Sequence, residues 1–211
     1  MLFRSVIAHG ITYNYVSGMV TNADKFSFQY GYTEVRFKVP SGKGLWPAIW
    51  MLAQNGPTEL DLLENLGDND IHSGMHWLDS SGNHKRQGTT YTVPNLSADW
   101  HTIGVDWQSN YVSFSLDGKE YYRETDPSHI PHTPMYLLVN LAVGGTWPGN
   151  PTPQTVFPAD FLLDYIHVTT ASTTPTPVPP SPTPNPTILP TQSGQCITLD
   201  LGQYTEKICK K

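Results

Sequence analysis

Apolar and polar residues alternate along several short segments of this chain, and Gly, Pro, Asn or Asp bounds each segment. In GYTEVRFKV, Val35 and Phe37 alternate with charged side chains, and YVSFSL shows the same period before the turn pair Asp117-Gly118. Successive side chains of a strand point to opposite faces, so this period predicts strands, and no stretch sustains the 3.6-residue period of a helix. Many short strands predict an all-β sandwich or barrel.

Two later segments, YLLVNLAVGG at 136–145 and FLLDYIHVTT at 161–170, are almost continuously apolar. Such runs are typical of strands that are covered on both faces. We therefore expect both segments to be strands with little solvent contact.

A change in composition divides the chain. Residues 171–194 contain eight of the 19 prolines, together with many threonines. Such a segment favours extended polyproline II structure and cannot bury enough apolar surface to fold. The predicted organisation is a folded domain at 1–170, a Pro/Thr-rich linker at 171–194 and the start of a truncated accessory module at 195–211.

Charge and hydropathy exclude several classes of function. The net charge is -6 and the chain has no run of Lys or Arg, so nucleic acid is not an expected partner. No apolar run approaches the roughly 20 residues of a membrane helix, and the N-terminus lacks a signal-peptide pattern. Cys196 and Cys209 could form a disulfide or remain free thiols.

Three carboxylates occur within six residues of the segment ELDLLE, which is otherwise apolar. In a regular strand Glu59 and Asp61 share one face, and Glu64 lies on the other. One extra residue at Leu62-Leu63, a β-bulge, would return Glu64 to the face of Glu59 and Asp61. We therefore predict a bulge in this strand.

A pair of carboxyl groups about 5–5.5 Å apart is the machinery of a retaining glycosidase. Asp61, between the two glutamates, could hold their pKa values apart so that one ionises and the other keeps its proton. A solvated strand face and a calcium site are the alternatives. Upstream, Trp46 and Trp50 share a strand face and could stack a sugar ring, although core packing also accounts for either indole.

The order of these motifs resembles glycoside hydrolase family 16, in its laminarinase-like branch, over about residues 13–169. The resemblance implies a concanavalin A-like jelly-roll β-sandwich and retaining endo-hydrolysis of β-glucans. The matching blocks are YVSGMVT (15–21), YGYTEVRFKVPSGKGLWPAIWML (30–52), ELDLLE (59–64), MHW (75–77), WHTIGVDW (100–107), VSFSLDGK (112–119), NLAVGGTWPG (140–149) and FPADFLLDYIHV (157–168).

By motif position, the resemblance implies that Glu59 is the nucleophile, Asp61 its electrostatic helper and Glu64 the general acid and base. The spacing Glu-x-Asp-x-x-Glu implies the bulged branch that cleaves 1,3-linked or mixed-linkage glucans, which also includes agarases and carrageenases. Residues 1–170 hold nine Lys or Arg against 16 Asp or Glu, which favours a neutral glucan over a sulfated galactan.

The resemblance also suggests residues that bind substrate, and packing is the alternative for each of them. His76 would bond to an acidic partner, Asn140 would contact sugar hydroxyls, Trp147 would stack a sugar ring, and Arg36 would line the same cleft.

Two departures from the family pattern bear on the fold and on metal binding. The opening strands of the family have no match before Tyr13, so we expect a domain that is truncated at its N-terminus. The resemblance implies a structural calcium with Asp164 as one ligand, but its partners near the N-terminus are also unmatched. No cofactor is expected for the reaction itself.

The sequence therefore predicts a secreted, monomeric endo-β-1,3-glucanase, with secretion implied by the family and the linker. A non-catalytic glucan-binding lectin on the same sandwich and an agarase- or carrageenase-type hydrolase are the alternatives.

Overall fold

The computed structural model describes residues 6–8, 11–170, 196–200 and 205–209. These residues form 15 strands and no α-helix, as the period of two predicts. None of the described segments is a helix long and apolar enough to span a bilayer.

Two large antiparallel sheets contain most of the strands, and two hairpins contain the rest. In spatial order, the six-stranded sheet consists of β3 (Met19–Thr21), β12 (Met135–Val143), β5 (Leu45–Ala53), β6 (Glu59–Glu64), β7 (Asp70–Leu78) and β8 (His84–Thr92). The five-stranded sheet consists of β11 (Lys119–Glu124), β10 (Val112–Leu116), β9 (His101–Trp107), β4 (Gly31–Lys38) and β13 (Leu162–Thr169). The hairpins are β1 (Val6–Ala8) with β2 (Ile11–Tyr13), and β14 (Cys196–Asp200) with β15 (Thr205–Cys209).

The chain divides into two units, Met1–Ser172 and Thr173–Lys211. The second unit contains the β14–β15 hairpin, in which Cys196 lies opposite Cys209. The predicted linker at 171–194 lies outside the described residues, and the disulfide and the accessory module stay predictions.

The core lies between the two large sheets. Val35 and Phe37 of β4 and Phe114 of β10 are fully buried, and they belong to the same cluster as Ile49 and Met51 of β5. β4 buries alternate side chains, and in β5 the half-buried Trp46, Trp50 and Leu52 lie on the outward face, which is the arrangement of a sandwich. The predicted jelly-roll β-sandwich is confirmed.

The predicted hairpin at Asp117-Gly118 is also confirmed. Both residues have positive φ, at 50° and 78°, and they connect β10 to β11. This backbone matches the right-handed twist of the two strands, and it explains the preference for an Asp-Gly pair at this turn.

The apolar segment at 161–170 was predicted to be covered on both faces, and this prediction is wrong for β13. Among the described strands β13 pairs only with β4, at the edge of its sheet, and its side chains are exposed or half-buried. Leu162 remains 42% exposed. An apolar run identifies a strand, but it does not fix the position of that strand in the sheet.

The predicted bulge lies in β6. On one side, Ile49 pairs with Leu63 and the next residue of β5 pairs with Asp61, so Leu62 has no partner in β5. On the other side, the register of β6 against β7 also shifts between Asp61 and Glu64. Leu62 and Leu63 are both fully buried, and Glu64 returns to the outer face.

A buried serine supports the bulge. Ser73 of β7 donates its hydroxyl to the carbonyl of Leu62 at 2.7 Å, and its Oγ lies 2.7 Å from the Tyr121 hydroxyl on β11. A bulge interrupts the ladder of backbone hydrogen bonds between neighbouring strands. The Ser73 hydroxyl therefore provides the Leu62 carbonyl with a hydrogen-bond donor.

Replacing Ser73 with Ala should lower the free energy of unfolding by about 1–3 kcal/mol, because the Leu62 carbonyl and the Tyr121 hydroxyl both lose a buried partner. Urea unfolding measures the change. Thr33→Val is the matched control, because the Thr33 hydroxyl is buried and has no hydrogen-bond partner among the described residues. Equal losses in the two variants would contradict a special role for Ser73.

Candidate active site

The outer face of the six-stranded sheet collects the residues that the sequence singled out. The bulge places Glu59, Asp61 and Glu64 on this face, while Leu60 and Leu62 enter the core. A cavity of about 390 Å³ opens above them, and it is lined by Trp46, Glu59, Glu64, His76, Arg86 and Trp147.

Asp61 forms the floor of the site. Its side chain is almost completely buried, and one carboxylate oxygen, Oδ2, lies 3.2 Å from Nε2 of His76. The other nitrogen of that ring, Nδ1, lies 2.9 Å from Nε2 of His84 on the neighbouring strand. The predicted contact between His76 and an acidic partner is therefore present, and the chain of side chains extends to His84.

Glu64 and two tryptophans form one wall of the cavity. The indole N–H of Trp46 donates to Oε1 of Glu64 at 3.1 Å. Trp147 meets Trp46 edge to face, with ring centroids 5.3 Å apart, and the centroid of the His72 ring lies 5.0 Å from that of Trp147. Trp147 is 43% exposed, so an apolar surface remains open to a ligand.

Trp50 and Asn140 lie on the same face but contact each other. The indole N–H of Trp50 donates to Oδ1 of Asn140 at 2.8 Å, between neighbouring strands β5 and β12. Neither residue lines the cavity. Their contact with a sugar stays a prediction.

Arg36 was predicted to line the cleft, and the structure contradicts this. Arg36 belongs to β4 of the opposite sheet, where its neighbours Val35 and Phe37 point inward and Arg36 points outward. Its guanidinium forms an ion pair with Asp164 and lies 5.1 Å from the ring centre of Trp100. The alternation of β4 gives its outward direction, but only the sheet order shows which outer face it occupies.

The ion pair between Arg36 and Asp164 also affects the predicted calcium site, of which Asp164 would be one ligand. A guanidinium already neutralises the Asp164 carboxylate, and calcium prefers six to eight oxygen ligands. The described surroundings of Asp164 therefore do not fit such a site, and calcium binding stays a prediction.

Two residues of the site, His84 and Arg86, were missed by the sequence analysis. Both belong to β8, where the register places Arg86 opposite His76. The segment HKRQ carries no sign of its partner strand, so the sequence alone gave no reason to select these residues.

Burial raises the pKa of all three acids. The pKa of Glu59 rises from 4.5 to about 7, through burial first and the charge of Asp61 second. The pKa of Glu64 rises to about 7 for the same two reasons, although the Trp46 N–H opposes the shift. Burial also raises the pKa of Asp61 to about 7. The site therefore retains protons near neutral pH, as a general acid requires.

Glu64→Gln should increase the free energy of unfolding at pH 8 by about 1–2 kcal/mol, after allowance for partial solvent access. The folded state holds the Glu64 proton up to about pH 7 and the unfolded state loses it near 4.5, so stability falls as the pH rises between these values. Below about pH 4.5 Glu64 is protonated in both the folded and the unfolded state, so the extra stability of Glu64→Gln should vanish. Urea unfolding at pH 4 and pH 8 measures it, with exposed Asp160→Asn as control. An advantage that is equal at both pH values would contradict the raised pKa.

Comparison with known proteins places these residues in a family context. The profile of glycosyl hydrolases family 16 matches residues 7–159. A beta-glucanase from Rhodothermus marinus is 33% identical over 181 residues, covering 73% of this chain and 62% of that protein. Glucan endo-1,3-beta-glucosidase A1 from Niallia circulans is also 33% identical, covering 73% of this chain and 26% of that protein.

A solved structure agrees with the fold. The laminarinase catalytic domain from Thermotoga maritima superposes with a TM-score of 0.72 at 31% identity, covering 81% of this chain and 75% of that one. The chain thus spans less than two thirds of the two curated relatives and three quarters of the solved catalytic domain.

Proposed function

The chain belongs to glycosyl hydrolases family 16, and from this premise we propose that it is a secreted, retaining endo-β-1,3-glucanase. The observation that carries the proposal is the bulge in β6, which puts Glu59, Asp61 and Glu64 on one face beside a single cavity.

The proposed reaction has two displacements. First, the Glu59 carboxylate attacks the anomeric carbon, the glycosidic C–O bond breaks, and the Glu64 carboxylic acid gives its proton to the leaving oxygen. Next, the Glu64 carboxylate takes a proton from water as this water attacks the same carbon and releases Glu59. Two inversions retain the β configuration and restore both glutamates to their starting states.

Which glutamate has which role follows from position in the family motif. The environments alone do not separate them, because burial raises both pKa values to about 7. Asp61 lies beside Glu59, and His76 contacts Asp61, so these two residues would orient the nucleophile.

A neutral β-glucan suits the cavity. Trp46 and Trp147 offer aromatic surface to the C–H face of a sugar ring, and among the described residues that line the cavity Arg86 is the one Lys or Arg. The domain holds fewer basic than acidic residues, nine against 16 up to residue 170, which disfavours a sulfated polymer. Laminarin-like 1,3-glucan is the proposed substrate, with mixed-linkage glucan as a second one.

Incubation of the purified chain with laminarin, lichenan, agarose and carrageenan tests the proposal. Proton NMR at early times identifies the first anomer released, and we expect β-anomers from laminarin and lichenan. Initial release of α-anomers would contradict retention, and cleavage of agarose or carrageenan alone would indicate a galactan hydrolase. A folded chain that binds laminarin without cleaving it would support the lectin alternative.

A further inference from the structure

One cluster in the site has the composition of a transition-metal site. Glu59, Asp61 and His76 each offer one ligand atom, and these atoms lie within 4.8 Å of one another. We propose that this cluster binds a divalent transition-metal ion such as Zn²⁺, and that the bound ion inhibits hydrolysis. The inhibition rests on the proposed function, whereas the binding does not.

One pair of ligand atoms has the spacing expected of two ligands that share a metal ion. Oδ2 of Asp61 and Nε2 of His76 lie 3.2 Å apart, and both are buried without a well-aligned hydrogen bond to any described residue. Two ligands at Zn²⁺ distances of about 2.0–2.2 Å, with angles between octahedral and tetrahedral, lie about 2.8–3.6 Å apart. An ion between these atoms would satisfy both of them.

His84 would fix the orientation of the metal-binding imidazole. A neutral histidine that binds a metal through Nε2 carries its proton on Nδ1 and usually donates it to an acceptor. Nδ1 of His76 lies 2.9 Å from Nε2 of His84, which can accept that proton. The two rings are thus already arranged as ligand and supporting partner.

The ligand types select among metals. Imidazole together with carboxylates suits Zn²⁺ and Cu²⁺, whereas Ca²⁺ prefers six or more oxygens. Arg86 lines the same cavity and opposes a cation, but the Glu59 and Asp61 carboxyl groups can release their protons when a metal binds to them. A solvent molecule can fill the fourth position, because the cavity is open above the cluster.

Occupancy would stop catalysis for a direct reason. A carboxylate oxygen of Glu59 that donates its electron pair to the metal is not free to attack the anomeric carbon. The ion also places positive charge where the oxocarbenium-like transition state develops its own. We therefore expect Zn²⁺ to compete with glucan.

Calorimetric titration of ZnCl₂ into the full chain tests the site without any activity assay. The chain is produced without a polyhistidine tag, treated with chelator and carries Cys196→Ser and Cys209→Ser, which removes two other zinc ligands. We expect one site per chain, at least about a 30-fold weaker affinity in His76→Gln and about a 10-fold weaker one in His84→Phe. His167→Gln, at an exposed position of β13, is the matched control and should bind zinc like the parent, and CaCl₂ should not compete with zinc for this site.

Two further measurements keep the proposal open to refutation. Zn²⁺ should raise the melting temperature of the parent, and this shift should be lost in His76→Gln, whose own folding is checked by its unfolding transition. Zinc affinity that is unchanged in a folded His76→Gln, or no zinc binding at all, would overturn the site. Zinc bound at the site while laminarin hydrolysis continues unchanged would overturn the inhibition. A chain that binds zinc but cleaves no glucan would support the metal site and refute the proposed function.

Discussion

Replacing Glu59 with Ala is expected to reduce laminarin hydrolysis by more than about 10³-fold, because the first displacement loses its nucleophile. The fold should survive, since Glu59 is only half-buried and borders an open cavity. Glucan binding should also survive, because the aromatic wall formed by Trp46 and Trp147 is unchanged. Reducing-sugar assays and laminarin titration measure the two properties separately.

Azide makes this prediction specific to the nucleophile. A small anion that enters the space left by Glu59→Ala would attack the anomeric carbon of an activated aryl glycoside from that side and remain attached. A single displacement inverts the centre, so the product should be an α-glycosyl azide. Glu34→Gln, at a half-buried glutamate of the opposite sheet, is the control and should retain activity. Full activity in Glu59→Ala would refute the assignment.

Replacing Glu64 with Ala should reduce hydrolysis of laminarin by about 10²–10⁴-fold, the usual contribution of a general acid and base. The loss should depend on the leaving group. A poor leaving group such as a sugar hydroxyl needs the proton of Glu64, whereas an activated aryl group leaves without it. The first displacement of an aryl laminarioside should therefore keep nearly the rate of the parent enzyme. The glycosyl–enzyme should accumulate, because no general base activates the water that hydrolyses it.

Azide gives the complementary result in this variant. It attacks the accumulated intermediate without needing a base, so the product should be a β-glycosyl azide after two inversions. Burst kinetics and NMR of the product detect both effects. An α-azide from Glu64→Ala, together with a β-azide from Glu59→Ala, would show that the two roles are exchanged.

The sequence predicted the geometry of the candidate site well where local periodicity decides side-chain direction. Leu60 and Asp61 follow the strand period, and the odd spacing to Glu64 predicted a bulge that the strand registers confirm. The Asp117-Gly118 turn was equally local. Side-chain direction, the bulge and the turn each depend on the backbone within a few residues, so the local sequence is enough to predict them.

Prediction failed where the position of a whole strand mattered. Arg36 was placed in the cleft and lies on the other sheet, and β13 was expected to be covered on both faces and lies at a sheet edge. Alternation gives two faces to each strand, but it does not say which sheet the strand joins.

The sequence alone determined the all-β class, the bulged strand and the three acids on its outer face, because the two-residue period and the turn residues act locally. Only the tertiary structure brought His84 and Arg86 to His76, raised the three carboxyl pKa values by burial and placed Ser73 under the bulge. The physical reason is that desolvation and pairing across strands depend on which strands become neighbours and in which register, and the two-residue period within one strand does not contain that information.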